Sequence, residues 1–124
     1  MNVEQFIEPD WKQTIKLAGE LIEIKSTSTF DGNEKILEYV KDHLDGMEAK
    51  IVKPPDAPPY LVARICCQDP EFKMILSGHL DTVEEGGMKH PFTPTFRDGY
   101  LFGRGAADMK GGCAAMIMAM KEFA

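Results

Sequence analysis

Apolar positions recur at helical spacing through Trp11, Ile15, Ala18 and Ile22, joined by Leu17, Leu21 and Ile24. This pattern predicts a helix from about Trp11 to Ile24 with one buried face. Asp10 just before it, with Gln13 three residues later, has the arrangement of a capping box. The polar run Ser26-Thr27-Ser28-Thr29 reads as a loop. Asp31-Gly32-Asn33-Glu34 opens a second predicted helix, with Ile36, Leu37, Val40 and Leu44 on its inner face and Gly46 at its end.

The period then changes. Met47, Ala49 and Ile51 alternate with Glu48, Lys50 and Val52, which predicts a half-buried strand. Pro54, Pro55, Pro58 and Pro59 forbid regular structure after it. Tyr60 to Cys66 is rich in β-formers and reads as another strand, and Gln68-Asp69-Pro70-Glu71 as a hairpin turn. Phe72 to Ser77 is apolar without alternation, the pattern of a strand buried on both faces in a sheet covered by helices. A glycine-rich loop, Glu84 to Met88, follows, and Pro91 and Pro94 keep the next segment irregular. Thr95-Phe96-Arg97 and Tyr100-Leu101-Phe102 flank Asp98-Gly99, a strong signal for a tight hairpin. Lys110 to Phe123 reads as a last helix, apolar nearly all round and therefore in need of neighbours on every side.

A length of 124 residues with 44% apolar content supports one compact domain with a modest core. Asp and Glu outnumber Lys and Arg, 20 to 14, for a net charge of −6. That balance argues against nucleic acid or an anionic membrane as partner. The start of the chain has neither the basic region nor the apolar run of a secretory signal, and no apolar stretch is long enough to span a bilayer. Three cysteines, an odd number, fit a reducing compartment, so the expected location is the cytoplasm. Cys66 and Cys67 are adjacent and would point to opposite faces of a strand, which disfavours a shared metal.

Chemistry concentrates in two segments. His79 lies just past the end of the predicted buried strand, where open α/β sheets place their ligands. Asp81 is two residues on and would share its side of an extended chain. Such a pair can supply a metal-binding imidazole and the carboxylate that orients it, or only a hydrogen-bonded histidine beside a turn aspartate. Asp108 precedes the last helix and reads either as an N-cap or as a carboxylate spanning two metals, with Gly103 and Gly105 letting the backbone approach closely. Arg104 reads as a surface salt bridge or as a support beneath the site, and Lys110 as a solvated or charge-balancing cation. Gly103-x-Gly105 is not a dinucleotide fingerprint. Asp108 stands at its third glycine position and would repel a pyrophosphate, and a hairpin precedes it where a βαβ unit is required. His43 and His90 read as surface histidines, and Glu84 and Glu85 as solvated loop charges.

Taken together, Ser-Gly-His-Leu-Asp-Thr-Val at 77–83, His-Pro-Phe at 90–92 and Asp-Gly-Tyr-Leu-Phe-Gly-Arg-Gly-Ala-Ala-Asp-Met-Lys-Gly-Gly at 98–112 resemble the M20 family of metallopeptidases and amidohydrolases. That group includes acetylornithine deacetylase, succinyl-diaminopimelate desuccinylase, aminoacylase and glutamate carboxypeptidase. The resemblance implies an α/β fold, a three-layer sandwich-type sheet flanked by helices. Residues 1–124 would be the N-terminal, incomplete portion of its zinc-peptidase-like catalytic domain, without the lid and dimerisation domain. It implies that His79 binds one metal, that Asp81 holds the imidazole and acts in catalysis, and that Asp108 bridges two metals, followed by a cis peptide. The metals would be Zn2+, or Co2+ or Mn2+. The parent would be a homodimer hydrolysing an amide bond in N-acyl amino acids or small peptides. The family's Glu-Glu pair and its later acidic and histidine ligands have no match in residues 109–124, so the isolated chain is expected to be inactive. The alternative is a non-catalytic α/β module that self-associates or binds a partner.

Overall fold

The computed structural model describes residues 11–28, 33–65, 71 and 73–124. The chain runs α1 (Trp11–Glu23), α2 (Asn33–Asp42), β1 (Glu48–Val52), β2 (Tyr60–Arg64), β3 (Thr95–Arg97), β4 (Tyr100–Phe102), a wide turn over Ala106–Lys110, and α3 (Gly111–Phe123). This is a small, incomplete α/β arrangement of three helices and two two-stranded antiparallel sheets, β1–β2 and β3–β4.

The helical spacing of α1 buries Leu17, Ala18, Leu21 and Ile22, and its charged positions stay outside. Trp11, expected on the inner face, is exposed, and no described residue covers the first turn of the helix. α2 buries Ile36, Leu37 and Val40 and packs on β1 and β2. It ends at Asp42, ahead of the expected stop, and tight turns carry the chain on to Gly46 at φ +80°. α3 packs on α1 through Cys113, Ala114 and Ile117. These residues join Leu17, Leu21, Ile24, Ile36, Val40 and Leu44 in one continuous core. α3 still leaves Ala115, Ala119 and Phe123 exposed, so its all-round apolar pattern is only partly covered. Among the described residues no helix is long and apolar enough to cross a membrane.

The β1–β2 pair runs Glu48 opposite Arg64 to Val52 opposite Tyr60, with Ala49, Ile51, Leu61 and Ala63 turned inward as the alternation predicts. The second hairpin pairs Arg97 with Tyr100. Its corner residues Asp98 (φ 52°) and Gly99 (φ 80°) are both left-handed, the signature of the turn that Asp-Gly favours because it matches strand twist.

One expectation fails. Residues 73–77 belong to no strand, and Met74, Ile75 and Leu76 are exposed, Ile75 at 90%. The segment has the composition of a doubly buried strand, but a strand needs hydrogen-bonded neighbours, and none of the described residues pairs with it. The sheet covered on both faces is therefore not formed here. The Asp10 cap, the start of α2 at Asp31-Gly32, Cys66, Cys67 and the turn over 68–70 lie outside the described residues.

Candidate metal centre

The serine-rich loop after α1 does more than connect. Ser26 and Thr27 are buried, and Thr27 forms a parallel bridge with Thr82. The Thr82 N–H donates to Ser26 O at 2.7 Å, the Ser28 N–H to Thr82 O at 3.1 Å, and Ser26 Oγ to Leu80 O at 2.7 Å. Three bonds thus clamp the backbone on both sides of Asp81. On the other flank the Cys113 thiol donates to His79 O at 3.2 Å. A Cβ at Gly78 would meet the Met116 methyl at 2.7 Å and Cys113 Sγ and the Met109 methyl at 3.0 Å, so the chain passes close against α3 here.

Asp108 comes from the wide turn. Gly105 is left-handed (φ 84°), and the Lys110 and Gly111 N–H groups reach back five residues to Gly105 O and Ala106 O. Asp108 and Met109 leave helical geometry, and the peptide between them is cis, as the resemblance implies. A Cβ at Gly111 would lie 2.6 Å from Ala106 O. Close packing against backbone therefore requires glycine at 111, and turning favours it at 105.

The two segments meet at His79. Its Nε2 lies 3.0 Å from Asp108 Oδ1, although 29 residues separate them in sequence. Its Nδ1 faces the Asp81 carbonyl at 3.0 Å and the Asp81 carboxylate at 3.3 Å. The imidazole is about half exposed, and the Asp108 side chain is 86% exposed. The Asp81 carbonyl is the main reason that His79 stands above its usual titration range; burial opposes it, and the Asp108 carboxylate adds to the rise. When the ring is protonated, each nitrogen donates toward one aspartate. A cavity of about 290 Å³ opens here, lined by His79, Asp81, Thr82, Arg104, Gly105 and Asp108 among others. Among the described residues no group of three or more His, Cys, Asp or Glu side chains converges on one metal position.

The donors that are present nonetheless suit a divalent transition metal. A neutral imidazole nitrogen and a carboxylate oxygen 3.0 Å apart can share one ion, and Nδ1 is held by a second carboxylate in the way that fixes a metal-binding tautomer. Metal at Nε2 must displace a proton, so affinity should fall as pH drops through the raised His79 pKa. In the metal-free chain, a proton NMR titration should find His79 titrating above 6.5 and moving down in Asp108→Asn. The linkage sign follows: this interaction is fully stabilising below pH 6.5 and fades as pH rises through the folded-state value, with solvent keeping it small.

One cation departs from its expected setting, and another takes the second of its two expected roles. Lys110 is not solvated. It is completely buried, and its Nζ donates to Leu21 O and Ile24 O at 2.8 Å each. Burial pushes its pKa down to about 8. Arg104 acts as the support beneath the site rather than in a salt bridge among the described residues. Its Nη2 donates to Glu85 O at 2.6 Å, its backbone N–H donates to Pro91 O at 2.6 Å, and its buried Nε has no partner among the described residues. Glu85 is also more than a solvated loop charge, since Lys25 Nζ lies 2.6 Å from its Oε1. Single-residue motifs could not reveal these roles, but the dense glycines around Arg104 and Lys110 were a signal of close packing.

Residues 75–124, which span both segments, match the model for Peptidase family M20/M25/M40. A probable succinyl-diaminopimelate desuccinylase of Staphylococcus epidermidis is 40% identical over 115 residues, covering 88% of this chain and 27% of that protein. A succinyl-diaminopimelate desuccinylase of a Polaromonas species is 50% identical over 54 residues, covering 40% of this chain and 13% of that protein. These matches support an M20-family peptidase or amidohydrolase. It spans about a quarter of the length of the staphylococcal relative.

Proposed function

We propose that this chain supplies one part of the metal site of a hydrolase that cleaves an amide bond in N-acyl amino acids, with succinylated diamino acids as the leading substrate class. The observation that carries the reading is the 3.0 Å approach of His79 Nε2 to Asp108 Oδ1, with Asp81 on the other ring nitrogen. The substrate class rests on the names of the two relatives, and on the match of the family model to the segments that hold these residues.

When bound, a pair of metal ions, zinc being the first choice for this donor set, would acidify a water and polarise the amide carbonyl. His79 would present Nε2 as a ligand, Asp81 would keep the ring turned and its Nδ1 proton in place, and Asp108 would offer its exposed carboxylate as the bridge. One imidazole and one bridging carboxylate do not fill two coordination spheres, so this chain alone is expected to bind Zn2+ weakly and to turn over little substrate.

Metal analysis and an assay of N-succinyl and N-acetyl amino acids, on the chain and on a protein that includes it, test the reading. Hydrolysis should vanish after dialysis against a chelator and return with Zn2+, Co2+ or Mn2+. Activity untouched by chelation would refute a metal mechanism. Asp81→Ala is expected to weaken metal binding about 10- to 100-fold while leaving the helical circular dichroism unchanged, because it removes an orienting group rather than a ligand. Calorimetric titration with Zn2+ reads the difference directly.

A further inference from the structure

A fully buried lysine is rare, and one whose ammonium meets no carboxylate is rarer still. Lys110 has a specific setting. Leu21 and Ile24 lie where α1 ends, and the last carbonyls of a helix have no partners within it. The ammonium takes both oxygens at 2.8 Å, and a cation is favoured at this end of a helix by the aligned peptide dipoles. The stem of Lys110 lies over Gly105, where a Cβ would be 3.1 Å and 3.3 Å from its Cδ and Cγ. Gly105 in turn abuts Thr82, whose methyl would be 2.7 Å from the same Cβ. The Lys110 N–H closes the turn on Gly105 O at 2.8 Å.

We propose that Lys110 is a positioning residue for Asp108: by tying the wide turn to the carbonyls that end α1, its side chain sets the Asp108 carboxylate against His79. Asp108 is largely exposed, and no packing of its own side chain fixes its direction. Its place depends on the turn, and the turn is held at one end by Gly105 on Thr82 and at the other by Lys110 on α1. The role rests on the metal-site reading only for its consequence in catalysis. The placement of Asp108 is a property of the metal-free chain.

The test compares the wild-type chain with Lys110→Met, which keeps the apolar stem and removes the donors. In metal-free protein, nitrogen-15 spectra of the His79 ring report the Asp108 contact, with Asp108→Asn as the reference for its loss. The Lys110→Met spectrum should move toward that reference, and Zn2+ affinity should fall about 10- to 100-fold, as for other groups that orient ligands. An unchanged His79 spectrum with only a lower melting temperature would reduce Lys110 to a stabilising residue and overturn the proposal. If wild-type protein binds no Zn2+, the metal reading fails, yet the ring spectra still decide the role of Lys110. Should Lys110→Met not fold, hydrogen exchange on the wild type decides. The amides of 105–110 and of the end of α1 should open together, and independent opening would refute the tie.

Discussion

Asp108→Ala should abolish the chemistry while leaving the fold intact. In a protein carrying the complete site, hydrolysis is expected to fall at least about a thousandfold, roughly 4 kcal/mol of lost transition-state stabilisation. The reason is position. A bridging carboxylate serves two ions at once, so its loss removes a ligand from each and releases the spacing between them. Few other changes in this chain should separate function from stability so cleanly. The Asp108 side chain is 86% exposed, touches His79 and contributes nothing to the core. The melting temperature should therefore move little, because exposed substitutions away from packed features usually cost within about 0.5 kcal/mol. Asp108→Asn keeps the shape and discards the charge, and it should be nearly as damaging. Measured turnover and bound metal in both variants decide the matter. An Asp108→Ala protein that keeps its metal and more than a tenth of its rate would remove Asp108 from the site.

Gly105→Ala is expected to do the reverse, destabilising the fold by about 2–5 kcal/mol through backbone strain and crowding together. Gly105 sits at φ 84°, where an L residue is strained, and its Cβ would press on the Thr82 methyl at 2.7 Å and on the Lys110 stem. Gly99 supplies the control. It has nearly the same φ, 80°, but a Cβ there meets nothing within 4 Å. Gly99→Ala should then cost only the conformational part, about 1–2 kcal/mol. The difference between the two variants in urea midpoint isolates the packing of Gly105 between Thr82 and Lys110. Equal midpoints would mean that Thr82 and Lys110 yield to the methyl group, and that the turn is looser than its contacts suggest. A loss of this size is a large share of the stability of a small domain.

The contrast between these two residues shows what a reading of the chain by pattern can reach. Pattern located α1, α2, α3 and the strands β1 and β2, since each depends on neighbours close in sequence, but it did not reveal that β1 pairs with β2. The Asp98-Gly99 corner was legible because two residues and their required left-handed angles determine it. His79 and Asp108 were legible as a candidate pair because order and spacing resemble those of a family, although neither is distinctive alone. The remainder was hidden for a common reason. Lys110 finds its acceptors 86 and 89 residues away, and Ser26 finds Leu80 54 residues away. A lone polar residue carries no mark of a partner at that distance. The segment 73–77 misled in the opposite sense. Its composition records the burial a strand would have beside paired neighbours, and composition cannot say whether those neighbours are in place.

Arg104 has a consequence of its own. Its side chain holds Glu85 and its backbone holds Pro91, so one residue beside the candidate site fastens both feet of the loop between them. The span inside those feet, from Gly86 to His90, is exposed throughout. Because closing a longer loop costs little once its ends are fixed, that span is free to change in length and sequence without moving Asp108. Relatives can thus differ in what they display above the site while keeping the floor beneath it, and the glycine-rich motif serves as a foundation on which different entrances can be built.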